Sequence, residues 1–120
     1  MNSYRDLIIW QKSMLLVKEI YKLTKLLPPE EIYVLSSQIR RSAISIPSNI
    51  AEGYDRRSTK DYINFLRFAR GSNSELQTQL YICSDLGFLS NQQIQASISL
   101  TEEISKMINS LINKLETKQL

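Results

Sequence analysis

Seven basic side chains fall in the middle of the chain: Arg40, Arg41, Arg56, Arg57, Lys60, Arg67 and Arg70. All but one are arginine. A guanidinium group is planar, permanently charged and forked to match phosphate oxygens, so such a set suits phosphate neutralisation with an affinity that falls as salt rises. The same residues allow a second reading. Glu52 and Asp55 adjoin Arg56, and Glu75 lies little more than one helical turn beyond Arg70, so surface or interhelical ion pairs would absorb the charge. Aromatic rings able to stack on bases are few, with Tyr54 beside the arginines and Tyr4 farther off.

Catalytic chemistry has little to work with. Histidine, the side chain most used as base, acid or metal ligand at neutral pH, is absent from all 120 residues. Glu-x-x-His motifs and the glycine clusters of phosphate-binding loops are absent as well. No enzymatic activity, metal site or cofactor is expected. Cys83 lies in an apolar stripe and reads as a small core residue, not a reactive thiol. As the lone cysteine it cannot close an internal disulfide, and the opening MNSYRDLIIWQK has no leader-like pattern. With no run of about 18 apolar residues, the expectation is a cytoplasmic protein without a membrane span. The net charge of +3 comes from the first half, where residues 1–60 carry ten basic and six acidic groups.

Three glycines and three prolines leave little material for turns, so the elements that hold these residues must be few and long. A first helix is predicted from Asn2 or Ser3 to Leu26, burying Leu7, Trp10, Met14, Val17, Tyr21 and Thr24 at three- and four-residue steps. Pro28 and Pro29 stop it. A second helix runs from Pro29 or Glu30 to Ala51 or Glu52, with Gly53 as its C-terminal cap. Pro47 is expected to kink this helix without breaking it, because Ile32, Ile39, Ala43, Ile46 and Ile50 stay in phase across it. A third helix begins at Ser58, which caps the amides of Lys60 or Asp61, and continues to Gly87. Its apolar side carries Tyr62, Phe65, Leu66, Ala69, Leu76, Leu80 and Cys83. Ser90 and Gln93 have the capping-box spacing that opens a fourth, lined by Ile94, Ile98, Thr101, Ile104, Ile108, Leu111 and Leu115, with Thr117 to Leu120 frayed. Connections at 27–30, 54–58 and 87–90 are too short for a crossover. The predicted fold is all-α, an up-down-up-down antiparallel four-helix bundle forming a single domain over 1–120.

Two further stripes exceed what one core requires. In the second helix Gln38, Ser42, Ser45, Asn49 and Glu52 line up beside the apolar face, matched in the third by Gly71, Ser72, Asn73, Glu75 and Gln79. They serve either a hydrogen-bonded contact between the two helices or a surface for a partner. The third helix also carries a second apolar line, Phe68, Ile82 and Leu86, with Glu75 and Gln79 between, about 60–100° from its core stripe. A lone subunit would expose it, so a homo-oligomer covering Phe68, Glu75, Gln79, Ile82 and Leu86 is expected. Antiparallel pairing across the 54–58 turn would place Arg41 near Arg70 and leave Arg56, Arg57 and Lys60 at the bundle end, as one basic strip.

Three blocks carry a family likeness: LIIWQKSMLLVKEIYKLT at residues 7–24, QIRRSAISIPSNIAEGYDRRSTKDYINFLRFARGSNSELQTQL at residues 38–80, and LGFLS at residues 86–90. In these the chain resembles the 23S rRNA intervening-sequence proteins, small four-helix bundles encoded within insertions of bacterial rRNA genes or standing alone. The resemblance implies a homopentamer with its bundles arranged about an axis. The chain is also similar to the accessory protein of diversity-generating retroelements, a basic pentameric bundle that binds nucleic acid and a reverse transcriptase. Residues and resemblance together lead to the expectation of a non-enzymatic homo-oligomer that binds nucleic acid, structured RNA foremost, through the basic strip. The alternative is a protein-interaction scaffold or accessory subunit, for example of a reverse transcriptase, with no direct nucleic acid role.

Overall fold

The computed structural model describes residues 2–118, and these form helices with no strand among them. Two short 3-10 turns, Tyr4–Asp6 and Pro29–Glu31, accompany four long helices: α1 (Ile8–Thr24), α2 (Leu35–Tyr54), α3 (Thr59–Asp85) and α4 (Asn91–Lys118). Each helix packs against the next, and α4 returns to α1, closing a square bundle of 48 × 21 × 20 Å. This is the predicted up-down-up-down architecture. The axis is filled by side chains from all four helices, among them Leu16, Ile20, Ile39, Ile46, Ile50, Leu66, Leu76, Leu80, Ile104 and Ile108, each fully enclosed.

The start and the face of α1 differ from expectation. Ser3 and Asp6 close a capping box around the first 3-10 turn, and Leu7 is extended (φ −72°, ψ 128°), so α1 begins at Ile8 and ends at Thr24. Its buried face is Ile9, Ser13, Leu16, Ile20, Leu23 and Thr24; Leu7 and Thr24 are buried as predicted, but between them the face is rotated by one residue, about 100°, from the predicted one. Trp10 and Val17 are half-buried, while Met14 and Tyr21 are exposed. Ser13 hides this face in the sequence. Its hydroxyl donates to the Ile9 carbonyl (2.6 Å), satisfying itself within the helix, and so a side chain that reads as polar sits in the core.

α2 is shorter at its start and longer at its end than predicted. The glutamates after Pro29 belong to a separate 3-10 turn, Ile32 to Val34 are exposed, and the helix opens at buried Leu35. Ile32 is therefore not part of its core stripe. The helix runs unbroken through buried Pro47, as expected, and past Gly53 to Tyr54. Gly53 is not the cap: the C-cap is Asp55, whose N–H donates to the Ala51 carbonyl (3.2 Å). Glycine is required there for close approach, since a Cβ would lie 2.7 Å from the Phe65 Cβ.

The signals bounding α3 and α4 hold. The Ser58 hydroxyl accepts the Asp61 N–H at 3.1 Å. Gly87 takes φ +78°, its N–H bonded to the Ser84 carbonyl (3.1 Å) and that of Phe88 to the Cys83 carbonyl (2.9 Å), the paired closure of a left-handed helix end. Ser90 and Gln93 exchange bonds of 2.8 and 3.0 Å. The α3 core gains Ile63 and Asn73, and Tyr62 and Phe65 are half-buried. In α4 the late core position is Ile112, with Leu111 and Leu115 half-buried. The helix is regular through Thr117 and Lys118, against the expected fraying, and Gln119 and Leu120 lie outside the described residues.

Candidate nucleic-acid interface

The seven basic residues do not form one strip. Arg40 leans toward α1, its Nε donating to the Thr24 hydroxyl (2.8 Å) and its guanidinium lying over the Tyr21 ring at 4.6 Å. Arg70 faces the other way, donating to Asn109 of α4 (2.8 Å), and Arg67 pairs with Glu116 of α4 at 3.6 Å. Arg41 and Arg70 are thus on opposite flanks. Side-chain direction sets this. Arg41 points outward beside the α1–α2 seam, whereas Arg70 follows the seam of α3 with α4, so equal height along the bundle does not bring them together.

At the α2–α3 turn Arg56 pairs with Glu52 (2.8 Å) and stacks on Phe65 at 4.7 Å, so the ion-pair reading holds for it. Glu75 makes no salt bridge among the described residues, and those of Arg67 and Arg56 are both exposed and weak. Arg41, Arg57 and Lys60 are exposed and make no ion pair among the described residues. The expected stacking rings are occupied elsewhere. Tyr4 packs edge-on against Trp10 (5.4 Å) and Tyr54 against Tyr62 (6.0 Å). Burial, reinforced by Tyr54, pushes the Tyr62 phenol up to about 12.

An aromatic that the sequence reading passed over stands free. Tyr33 is 90% exposed in the turn before α2. With Tyr21, Arg40, Arg41 and the small polar side chains of α2 it lines an open groove of about 570 Å³. No carboxylate lines this groove. Periodicity had assigned Tyr33 to a helix, where its freedom was not visible.

The polar stripe of α2 is divided in its surroundings. Ser42 is buried, and Glu52 is taken by Arg56. Ser45 donates to the Arg41 carbonyl (2.9 Å) and Asn49 to the Ser45 carbonyl (2.8 Å), both lining the Tyr33 groove. Gln38 lies across a second, shallow groove from Gly71, Ser74, Glu75, Gln79 and Ile82 of α3. Among the described residues no side-chain hydrogen bond joins α2 to α3, and Gln79 Oε1 is enclosed without a partner. Beside this second groove the predicted apolar line is open: Phe68 is 58% exposed, Ile82 40% and Leu86 60%.

The family model described as 23S rRNA-intervening sequence protein matches residues 5–110. Among solved structures, the chain is similar to a protein of unknown function from the S23 ribosomal protein family of Bacteroides thetaiotaomicron. The two are 30% identical with a TM-score of 0.81, over 88% of this chain and 98% of that one. No curated protein matches the chain.

Proposed function

The chain belongs to the 23S rRNA-intervening sequence protein family, and from that premise we propose that it is a non-enzymatic, self-associating bundle that binds RNA through its guanidinium groups. The observation that carries the reading is the neighbourhood of Arg40 and Arg41. They share an open groove lined by no acidic side chain, so phosphate would meet two uncompensated guanidiniums there. Arg57 and Lys60 add free positive charge at the α2–α3 end. Self-association is supported by Phe68, Ile82 and Leu86, whose exposure on one side of α3 costs free energy until a neighbour covers it. The subunit number follows the resemblance, which gives five. A chain without histidine has little means of moving protons at neutral pH, which supports a binding role.

Titration of labelled structured RNA and DNA between about 50 and 200 mM salt tests this. Affinity should fall steeply across that range. Absence of binding at the low end, or an affinity indifferent to salt, would overturn it.

The alternative of a protein scaffold, including a reverse-transcriptase accessory subunit, draws support from a different place. The groove between Gln38 and Glu75 presents both of these polar side chains exposed, Glu75 with no salt bridge among the described residues, so a protein partner could bond them. Recovery of the tagged chain with and without nuclease separates the readings. A protein partner retained after nuclease favours the scaffold.

A further inference from the structure

We propose that the groove between the end of α1, the turn at Tyr33 and the outer face of α2 is a seat for one unpaired nucleotide of an RNA strand, its base on Tyr33 and its phosphate on Arg41. This rests on the RNA-binding reading and narrows it to one place and one substrate class.

Four observations converge. The open groove offers about 570 Å³, within the roughly 300–1,000 Å³ range of sites that take small organic ligands, a nucleotide among them. Tyr33 lines it while being 90% exposed, a ring with an open face and no packing partner to lose. Arg40 is already positioned: its Nε donates to the Thr24 hydroxyl at 2.8 Å and its guanidinium carbon lies 4.6 Å from the centre of the Tyr21 ring. Its terminal nitrogens make no bond among the described residues and remain for a phosphate oxygen, with little side-chain freedom left to lose on binding. Arg41, one residue on, is exposed, lines the same groove and makes no ion pair among the described residues.

The combination selects for the ligand. Paired guanidiniums without a neighbouring carboxylate accept an anion, and an open phenol ring accepts a flat π-face. A base inside a duplex has its faces covered by its neighbours, so the ring can be used only by an unpaired one. Exposed Ile32 and Ile44 on the walls suit the apolar body of a base better than a hydrated acidic peptide.

The test is fluorescence anisotropy with a labelled single-stranded RNA decamer, a duplex of the same sequence and an oligo-glutamate competitor. Tyr33→Ala should weaken single-strand binding at least about fivefold, and Tyr33→Trp should restore it, because the stacked face is the determinant. Arg41→Ala should flatten the dependence of log affinity on log salt by about 0.7, the share of one phosphate on a single strand. If the wild-type chain binds RNA but Tyr33→Ala and Arg41→Ala bind equally well, the groove is overturned while RNA binding stands, carried by the remaining arginines. Oligo-glutamate competing as well as RNA at equal charge would also overturn the groove as a nucleotide seat. If the wild-type chain binds neither RNA form at low salt, the RNA-binding reading falls and takes the groove with it.

Discussion

Phe65 of α3 stands where a side chain on Gly53 of α2 would have to go: a Cβ at Gly53 would lie 2.7 Å from the Phe65 Cβ and 3.2 Å from the Tyr62 carbonyl oxygen. Neither atom can turn aside, because one is fixed to the backbone and the other belongs to it. Gly53→Ala gains about 1 kcal/mol of helix propensity and meets about 1–3 kcal/mol of overpacking. A net loss of up to about 2 kcal/mol is expected, read as a lower urea midpoint at unchanged slope. A rise in midpoint would show that the two helices can part freely.

How far such a contact is legible in the sequence depends on which residues speak for themselves. Ser58, Gly87 and the Ser90–Gln93 pair act through bonds to their immediate neighbours, and each bounds the helix it was expected to bound. Gly53 was misread because a glycine near a helix end looks the same whether it turns the chain or admits a neighbouring helix. Ser13 was misread because a hydroxyl bonded to its own helix is satisfied inside a core. The exposed line of Phe68, Ile82 and Leu86 was legible from the width of the apolar surface alone. The basic strip was not, since heights along a bundle follow from loop lengths but side-chain directions depend on rotation about each axis. Tyr33 was hidden by a turn that interrupts the helical pattern after Pro29.

Phe68 and Ile82 give the test of self-association. Both are exposed on α3, and neither belongs to the enclosed core, so Phe68→Glu and Ile82→Glu should leave helicity by circular dichroism nearly unchanged. Light scattering at tens of micromolar, on the order of concentrations at which stable interfaces persist, should show the wild-type chain as an oligomer and both variants shifted toward monomer. A monomeric wild type at that concentration would remove the interface.

Cys83 links stability to pH. Its side chain is enclosed, and burial, with a smaller contribution from the charge of Glu31, pushes the thiol from 9.0 up to about 11. The folded state holds this proton more tightly than the unfolded one. The stabilisation is therefore complete below pH 9 and lost as pH rises toward 11. Tyr62 acts in the same direction at higher pH, pushed from 10.0 to about 12 by burial and then by Tyr54. Urea midpoints should decline over that alkaline range, with the earlier part of the decline removed in Cys83→Ala. At about pH 8 the folded thiol should resist iodoacetamide and react only on unfolding. Rapid alkylation of the folded protein would contradict the enclosed position.

Asn73 is the test of what a polar group does in this core. It is 2% exposed, its Nδ2 donates to the Thr101 carbonyl at 2.8 Å, and its Oδ1 has no partner among the described residues. A buried acceptor left unpaired costs about 1–3 kcal/mol, while one neutral hydrogen bond returns about 1 kcal/mol. Leucine has the same branched outline of four side-chain heavy atoms as asparagine, though its methyl groups are bulkier, and it removes both the bond and the orphan. Asn73→Leu should therefore be neutral to stabilising by about 1 kcal/mol in urea unfolding, whereas Asn73→Ala should destabilise by opening a cavity. The contact between α3 and α4 does not rest on Asn73 alone, because Gln77 still donates to the Thr101 hydroxyl at 2.9 Å, and that hydroxyl to the Ile98 carbonyl at 2.6 Å. Loss of more than about 2 kcal/mol in Asn73→Leu would mean that the Asn73 oxygen is satisfied after all. The residue would then help to fix the pairing of the two helices, where the unpaired oxygen makes it a polar liability that the surrounding apolar core absorbs.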